Sequence, residues 1–284
     1  MRWQGRRTSD NLEDRRGISG KQMAVGGGIG GILIAILFAL LGGNPEDVSQ
    51  ILQPAGMEST AGVNRPLSEE EKQEGEFVGV ILAETEDVWN RIFQQGGRSY
   101  REPKLVLFSG QISSACGFAG ASSGPFYCPG DEKVYIDLSF FKQMQAQLGA
   151  RGDFALAYVI AHEVGHHVQK QLGITEQVMA QQGQVDEVEF NRLMVRLELQ
   201  ADFLAGVWAH HAQRTADILE QGDIEEGINA AGAVGDDRIM KQTQGYIVPD
   251  AFTHGTSEQR VRWFAKGFQT GDINQGDTFN ASQL

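Results

Sequence analysis

Residues 153–172 read DFALAYVIAHEVGHHVQKQL, and Gly173 follows. The run is apolar up to Ala161, Asp153 is placed to cap it and Gly173 to stop it, so a buried helix is expected. His162, Glu163 and His166 fall inside it as H-E-x-x-H. Helical positions four apart are turned by about 40° and rise about 6 Å, so both imidazoles face one point. That spacing suits a Zn²⁺ ion gripped at about 2.0–2.1 Å. Glu163, beside the first imidazole, can reach a water on such an ion. Polar groups buried on an apolar helix need compensation, which a metal supplies. Core histidines satisfied by hydrogen bonds are the competing reading. His167 faces away from the pair and is expected to be structural.

A second long helix is expected from about residue 185 to 215, with Phe190, Leu193, Leu197, Leu204 and Val207 along a recurring apolar face. Glu198 and Asp202 sit in it among Leu197, Leu199, Phe203 and Leu204, which is poor company for a merely solvated pair. Catalytic zinc takes three protein ligands and keeps one position open. Glu198 is the candidate third ligand. Asp202, one turn on, is placed to accept the free ring N–H of a ligating histidine and fix its tautomer. His210 and His211 are rival third ligands, two turns further along and without a paired carboxylate.

The surrounding chain reads as α+β, mostly helical, with no internal repeat. Ser68 with Glu69, Glu70 and Glu71 looks like a helix start, and Gly96-Gly97 its end. Lys104–Phe108 and Val134–Leu138 read as short strands. Between them a Gly/Ser-rich loop holds Cys116 and Cys128. The pair fits one disulfide if the body is extracytoplasmic, and unlinked thiols in a reducing cytoplasm. Residues 223–239 read as a weaker helix, and 257–268 as a closing one.

The N-terminal part is different. Ala24–Leu41 is apolar, about 27 Å long as a helix and close to the roughly 30 Å of a bilayer core. No A-x-A-like cleavage site follows, and its glycines would weaken a helix in water, so an uncleaved span over 24–43 is preferred to a signal peptide or a core helix. Gly26/Gly30 and Gly27/Gly31 have helix-packing spacing, although small residues are common in spans. The order expected is a basic cytoplasmic tail (1–23), the span (24–43), a linker (44–67) and one domain (68–284). Basic residues precede the span, so the N-terminus is placed in the cytoplasm and the domain outside the cytoplasmic membrane. The first 23 residues carry a net +3, which leaves −16 on the rest against −13 overall. So acidic a body is a poor partner for nucleic acid.

Several blocks together resemble one group of proteins: ACGFAG, GPFYCPGDEKVYIDLSFF, AHEVGHHVQ, LELQADFLAGVWAHH and HGTSEQRVRWF. They are similar to the bacterial neutral zinc metallopeptidase family with one N-terminal span, and more broadly to gluzincins, whose HExxH is completed by a Glu in an ExxxD helix. The resemblance implies a zincin-like domain with a small antiparallel sheet, one Zn²⁺ per chain and a peptide or protein substrate. It also implies that GPFYCPGDEKVYIDL is an edge strand beside the metal, able to hold an extended peptide. His254 and Arg260 are spaced like a His/Arg pair of membrane-bound gluzincins, where the histidine helps stabilise the oxyanion and the arginine supports the site. Read from the residues alone, Thr256 or Ser257 caps a helix and Arg260 is a surface charge. The activity expected is zinc-dependent peptide hydrolysis with Glu163 as general base. A non-catalytic zinc-stabilised binding module and a zinc amidase of the cell envelope are the alternatives.

Overall fold

The computed structural model describes residues 1–17, 66–120, 124–140, 142 and 152–284. The apolar run expected to span a membrane, and all but the end of the linker, lie outside these residues. Among the described residues no helix is long and apolar enough to cross a membrane.

Strand β1 (Leu12–Asp14) precedes helix α1 (Glu69–Gln95). α1 begins as its sequence directs: the Ser68 hydroxyl accepts from the Glu71 N–H, and the Glu71 carboxylate accepts from the Ser68 N–H. Three glutamates in its first turn suit the positive end of the helix dipole. Then come β2 (Lys104–Phe108), the hairpin β3 (Gln111–Ser114) and β4 (Gly117–Gly120), β5 (Phe126–Cys128) and β6 (Lys133–Asp137).

One sheet has the order β1-β2-β6-β5, with β1–β2 and β2–β6 parallel and β6–β5 antiparallel. The small antiparallel sheet expected from the sequence is therefore corrected to a mixed one, beside the separate β3–β4 hairpin. The physical reason lies in β2 and β6, which are buried on both faces, as parallel strands usually are. The segment between them, which holds the hairpin and β5, is long enough for the crossover that parallel pairing needs. Cys116 and Cys128 are disulfide-bonded, with Cα atoms 5.7 Å apart, tying the hairpin to β5.

The helical part consists of α2 (Asp153–Gln171), α3 (Ile174–Met179), α4 (Glu187–Ala216), α5 (Asp223–Ala233), α6 (Asp236–Thr243) and α7 (Ser257–Thr270). α2 and α4 approach closely because residue 165 is glycine: a Cβ there would lie 3.1 Å from the Ala201 carbonyl oxygen. α7 is pressed on α4 in the same way, since a Cβ at Gly206 would overlap the Phe264 carbonyl at 2.1 Å. Two sequence expectations change. Asp153 occupies the first turn of α2 rather than its cap, which is Gly152. The weak helix over 223–239 is broken at Val234-Gly235 into α5 and α6, which places Asp236 at a helix start facing the 253–255 loop.

Residues 1–17 do not form a separate tail. β1 extends the sheet beside β2, and arginines of this segment meet carboxylates on α1 and just beyond α4.

Candidate metal centre and its supporting network

α2 carries His162 and His166 on one face, their ring centroids 4.8 Å apart and nearly perpendicular. α4 brings Glu198 opposite them. Glu198 Oε2 lies 3.2 Å from His162 Nε2, and Oε1 lies 3.4 Å from His166 Nε2. Donor atoms bonded to zinc at about 2.0–2.1 Å in a tetrahedron stand about 3.3 Å apart. The donor set is also right for a divalent ion: two imidazole nitrogens and a carboxylate within 4.8 Å of one another.

Both rings are held by their other nitrogen. Asp202 Oδ1 accepts from His162 Nδ1 at 2.9 Å. The same oxygen accepts from the Tyr158 hydroxyl at 2.5 Å and from Arg260 Nη2 at 2.9 Å, while Asp202 Oδ2 accepts from Arg260 Nε at 2.8 Å. Burial works against the Asp202 charge, but Arg260 and His162 outweigh it and hold the carboxyl below its ordinary pKa. Arg260 is 4% exposed, so the alternative of a surface charge is set aside.

His166 rests on Gln169, a residue the sequence reading did not single out. Gln169 Oε1 accepts from His166 Nδ1 at 2.9 Å, and Nε2 donates to the Leu197 carbonyl at 2.7 Å and to Gln200 Oε1 at 3.0 Å. A carbonyl can only accept, so the amide must turn its NH₂ towards Leu197 and its oxygen towards His166. Each ring thus keeps its proton on Nδ1 and leaves Nε2 free for a metal.

Glu163 is 7% exposed on the same helix. Burial raises its carboxyl above the ordinary value, with the two imidazoles pulling the other way. His254 enters from the loop before α7. Its Nδ1 lies 3.2 Å from Asp236 Oδ1, and Asp236 Oδ2 accepts the backbone N–H groups of Thr253, His254 and Gly255 at 2.8, 2.7 and 3.0 Å. Burial opposes the charged imidazole, yet Asp236 and Glu198 hold its pKa above 6.5. Asp236 was also missed, because nothing local in the sequence separates it from an ordinary first-turn acid.

The other histidines stand apart from these donors. His167 is buried between the Tyr127 hydroxyl at 2.9 Å and the Arg101 carbonyl at 2.6 Å. His210 and His211 bond to the carbonyls of Phe268 and Gly271 and do not belong to the donor group of His162, His166 and Glu198. β5 is an edge strand of the sheet, and its Tyr127 ties it to α2 through His167.

A family model described as "Putative neutral zinc metallopeptidase" matches residues 1–279. An Escherichia coli K12 protein titled "Uncharacterized protein YpfJ" is 49% identical over 290 residues, covering 99% of this chain and 100% of the relative. A Mycobacterium bovis protein titled "Uncharacterized protein Mb2605" is 46% identical over 195 residues, 65% of each chain. No solved structure matches.

Proposed function

The chain belongs to this family of neutral zinc metallopeptidases, and from that premise we propose that it hydrolyses peptide bonds, with His162, His166 and Glu198 holding one Zn²⁺. The observation that carries the reading is the donor triangle, with Nε2–carboxylate separations of 3.2 and 3.4 Å and both Nδ1 atoms already bonded to acceptors. When bound, zinc polarises the scissile carbonyl and brings the pKa of a bound water to about 7.

The chain's own groups do the rest. Glu163 takes the proton of the attacking water and passes it to the leaving amine, a task suited to a carboxyl whose pKa is raised by burial. His254, oriented by Asp236, donates to the developing oxyanion. Asp202 with Arg260 and Tyr158, and Gln169 with Gln200, keep the two ligand imidazoles from turning. An extended peptide lies along β5 by strand addition. The Cys116–Cys128 bond supports an oxidising compartment for the body, and the apolar run 24–41 supports attachment to a membrane.

Purified full-length chain incubated with zinc and a mixed peptide library should yield cleaved peptides, and chelation should stop it. Glu163→Gln should retain zinc and lose nearly all cleavage. Cleavage by that variant at the parent rate, or none by the zinc-loaded parent, removes the proposal.

A further inference from the structure

The body carries a built seat for the first seventeen residues. Glu86 of α1 is 2% exposed, and its carboxylate accepts from Asn11 Nδ2 at 2.9 Å, Arg7 Nη1 at 3.1 Å and the Ser9 hydroxyl. Without these groups it would be a buried charge with nothing to offset its desolvation. Helix α1 also holds glycine where this segment crosses it. A Cβ at Gly75 would lie 2.6 Å from Arg16 Nη2, and one at Gly79 would lie 3.3 Å from Thr8 Cβ. Glycine is unfavourable inside a helix, so two of them one turn apart, each under the same crossing segment, fit a role in admitting it. The mid-helix Gly79 carbonyl accepts from the Ser9 N–H at 2.9 Å, and Leu105 N–H donates to the Asn11 carbonyl at 3.0 Å.

The charges match as well. Arg2 pairs with Asp217 at 2.7 Å, Arg6 with Glu84 at 3.0 Å, and Arg16, its side chain 3% exposed, with Glu74 at 3.5 Å. These arginines belong to the group that places the N-terminus in the cytoplasm by the positive-inside rule. Here they serve as ion-pair partners for the body.

We propose that residues 1–17 and the body fold as one unit and lie on the same face of the membrane. A single crossing would put Glu86 and its three partners in different compartments. If the disulfide sets the compartment of the body, the N-terminal segment shares it.

The test uses the full-length chain in its native membrane and needs neither zinc nor activity, so it stands or falls separately from the peptidase reading. Thr8→Cys/Gly79→Cys places two Cβ atoms about as close as a disulfide requires, roughly 3.5–4.5 Å. Oxidation with copper phenanthroline should give an intramolecular bond, read as a monomer with altered mobility on a non-reducing gel. Gln4→Cys and Gln94→Cys, single variants at exposed positions, should react with a membrane-impermeant maleimide from the same face. Labelling from opposite faces overturns the proposal. So does labelling from one face with no Thr8–Gly79 bond, or a bond that forms only between two copies.

Discussion

Arg260 forks onto Asp202, with Nε 2.8 Å from Oδ2 and Nη2 2.9 Å from Oδ1, and neither residue is more than 4% exposed. His162 leans on the same carboxylate, so the pair both holds a ligand imidazole and keeps a buried charge neutralised. Arg260→Met removes the cation and strands the anion. Stability to urea should fall by about 3–5 kcal/mol. Arg260→Lys should recover only part, because an ammonium cannot make the two-pronged contact. Asp202 is held below its ordinary pKa, so the stability it contributes is present above about pH 4 and is lost as pH falls through its lowered value. An unchanged unfolding midpoint in Arg260→Met would show the fork to be idle.

Glu163 makes a contrasting case. Its carboxyl is raised by burial, which means the folded protein tolerates the charge poorly. Glu163→Gln should therefore leave the melting temperature level or higher and the zinc content at one per chain, while turnover falls by at least about 10²–10⁴-fold. Metal analysis and peptide cleavage on one preparation check both halves. A loss of zinc in this variant would make Glu163 a ligand instead of a base.

For Gln169 the amide's orientation is the point, since Leu197 accepts on one side and His166 Nδ1 donates on the other. Gln169→Leu should weaken zinc binding by about 10–100-fold, the usual cost of losing such a partner. Gln169→Glu keeps the acceptor for His166 but loses the donor to Leu197, so it should restore part of that affinity. Competition with a chromogenic chelator measures both. Equal, parental affinities would mean His166 is oriented by packing alone.

The three candidate donors His162, His166 and Glu198, and Glu163 beside them, were legible as a group because helical spacing is a local property and apolar neighbours betray burial. Asp202 was legible for the same reason. Arg260 was not decided, since its burial depends on α7 pressing against α4, and no pattern within 257–268 reports that. Gln169 and Asp236 escaped notice because each acts through a partner far along the chain. The sheet was misread at the level of strand direction: β2 and β6 are recognisable as strands, but parallel pairing follows from coverage on both faces. The docking of residues 1–17 was hidden most deeply. Their arginines meet carboxylates 58 to 215 positions away, and a count of charges along the segment does not report such partners.

His254 supplies the pH test. Burial favours the neutral imidazole, but Asp236 and then Glu198 outweigh it, so the protonated form persists above the ordinary 6.5. If protonated His254 donates to the oxyanion, activity is present below its raised pKa and is lost as pH rises through it. Asp236→Asn removes the partner that raises the pKa most, so the alkaline limb of kcat/KM should move to lower pH. The asparagine amide oxygen can still accept from the backbone N–H groups of Thr253, His254 and Gly255, so the loop should hold and the shift of the limb should be the main effect. His254→Phe should abolish that limb and cost about 10²–10³-fold in kcat. The zinc content of both variants should stay at the parental level, because neither residue is among the three donors. An alkaline limb that persists unmoved in His254→Phe would assign it to another group and leave His254 without a part in the chemistry.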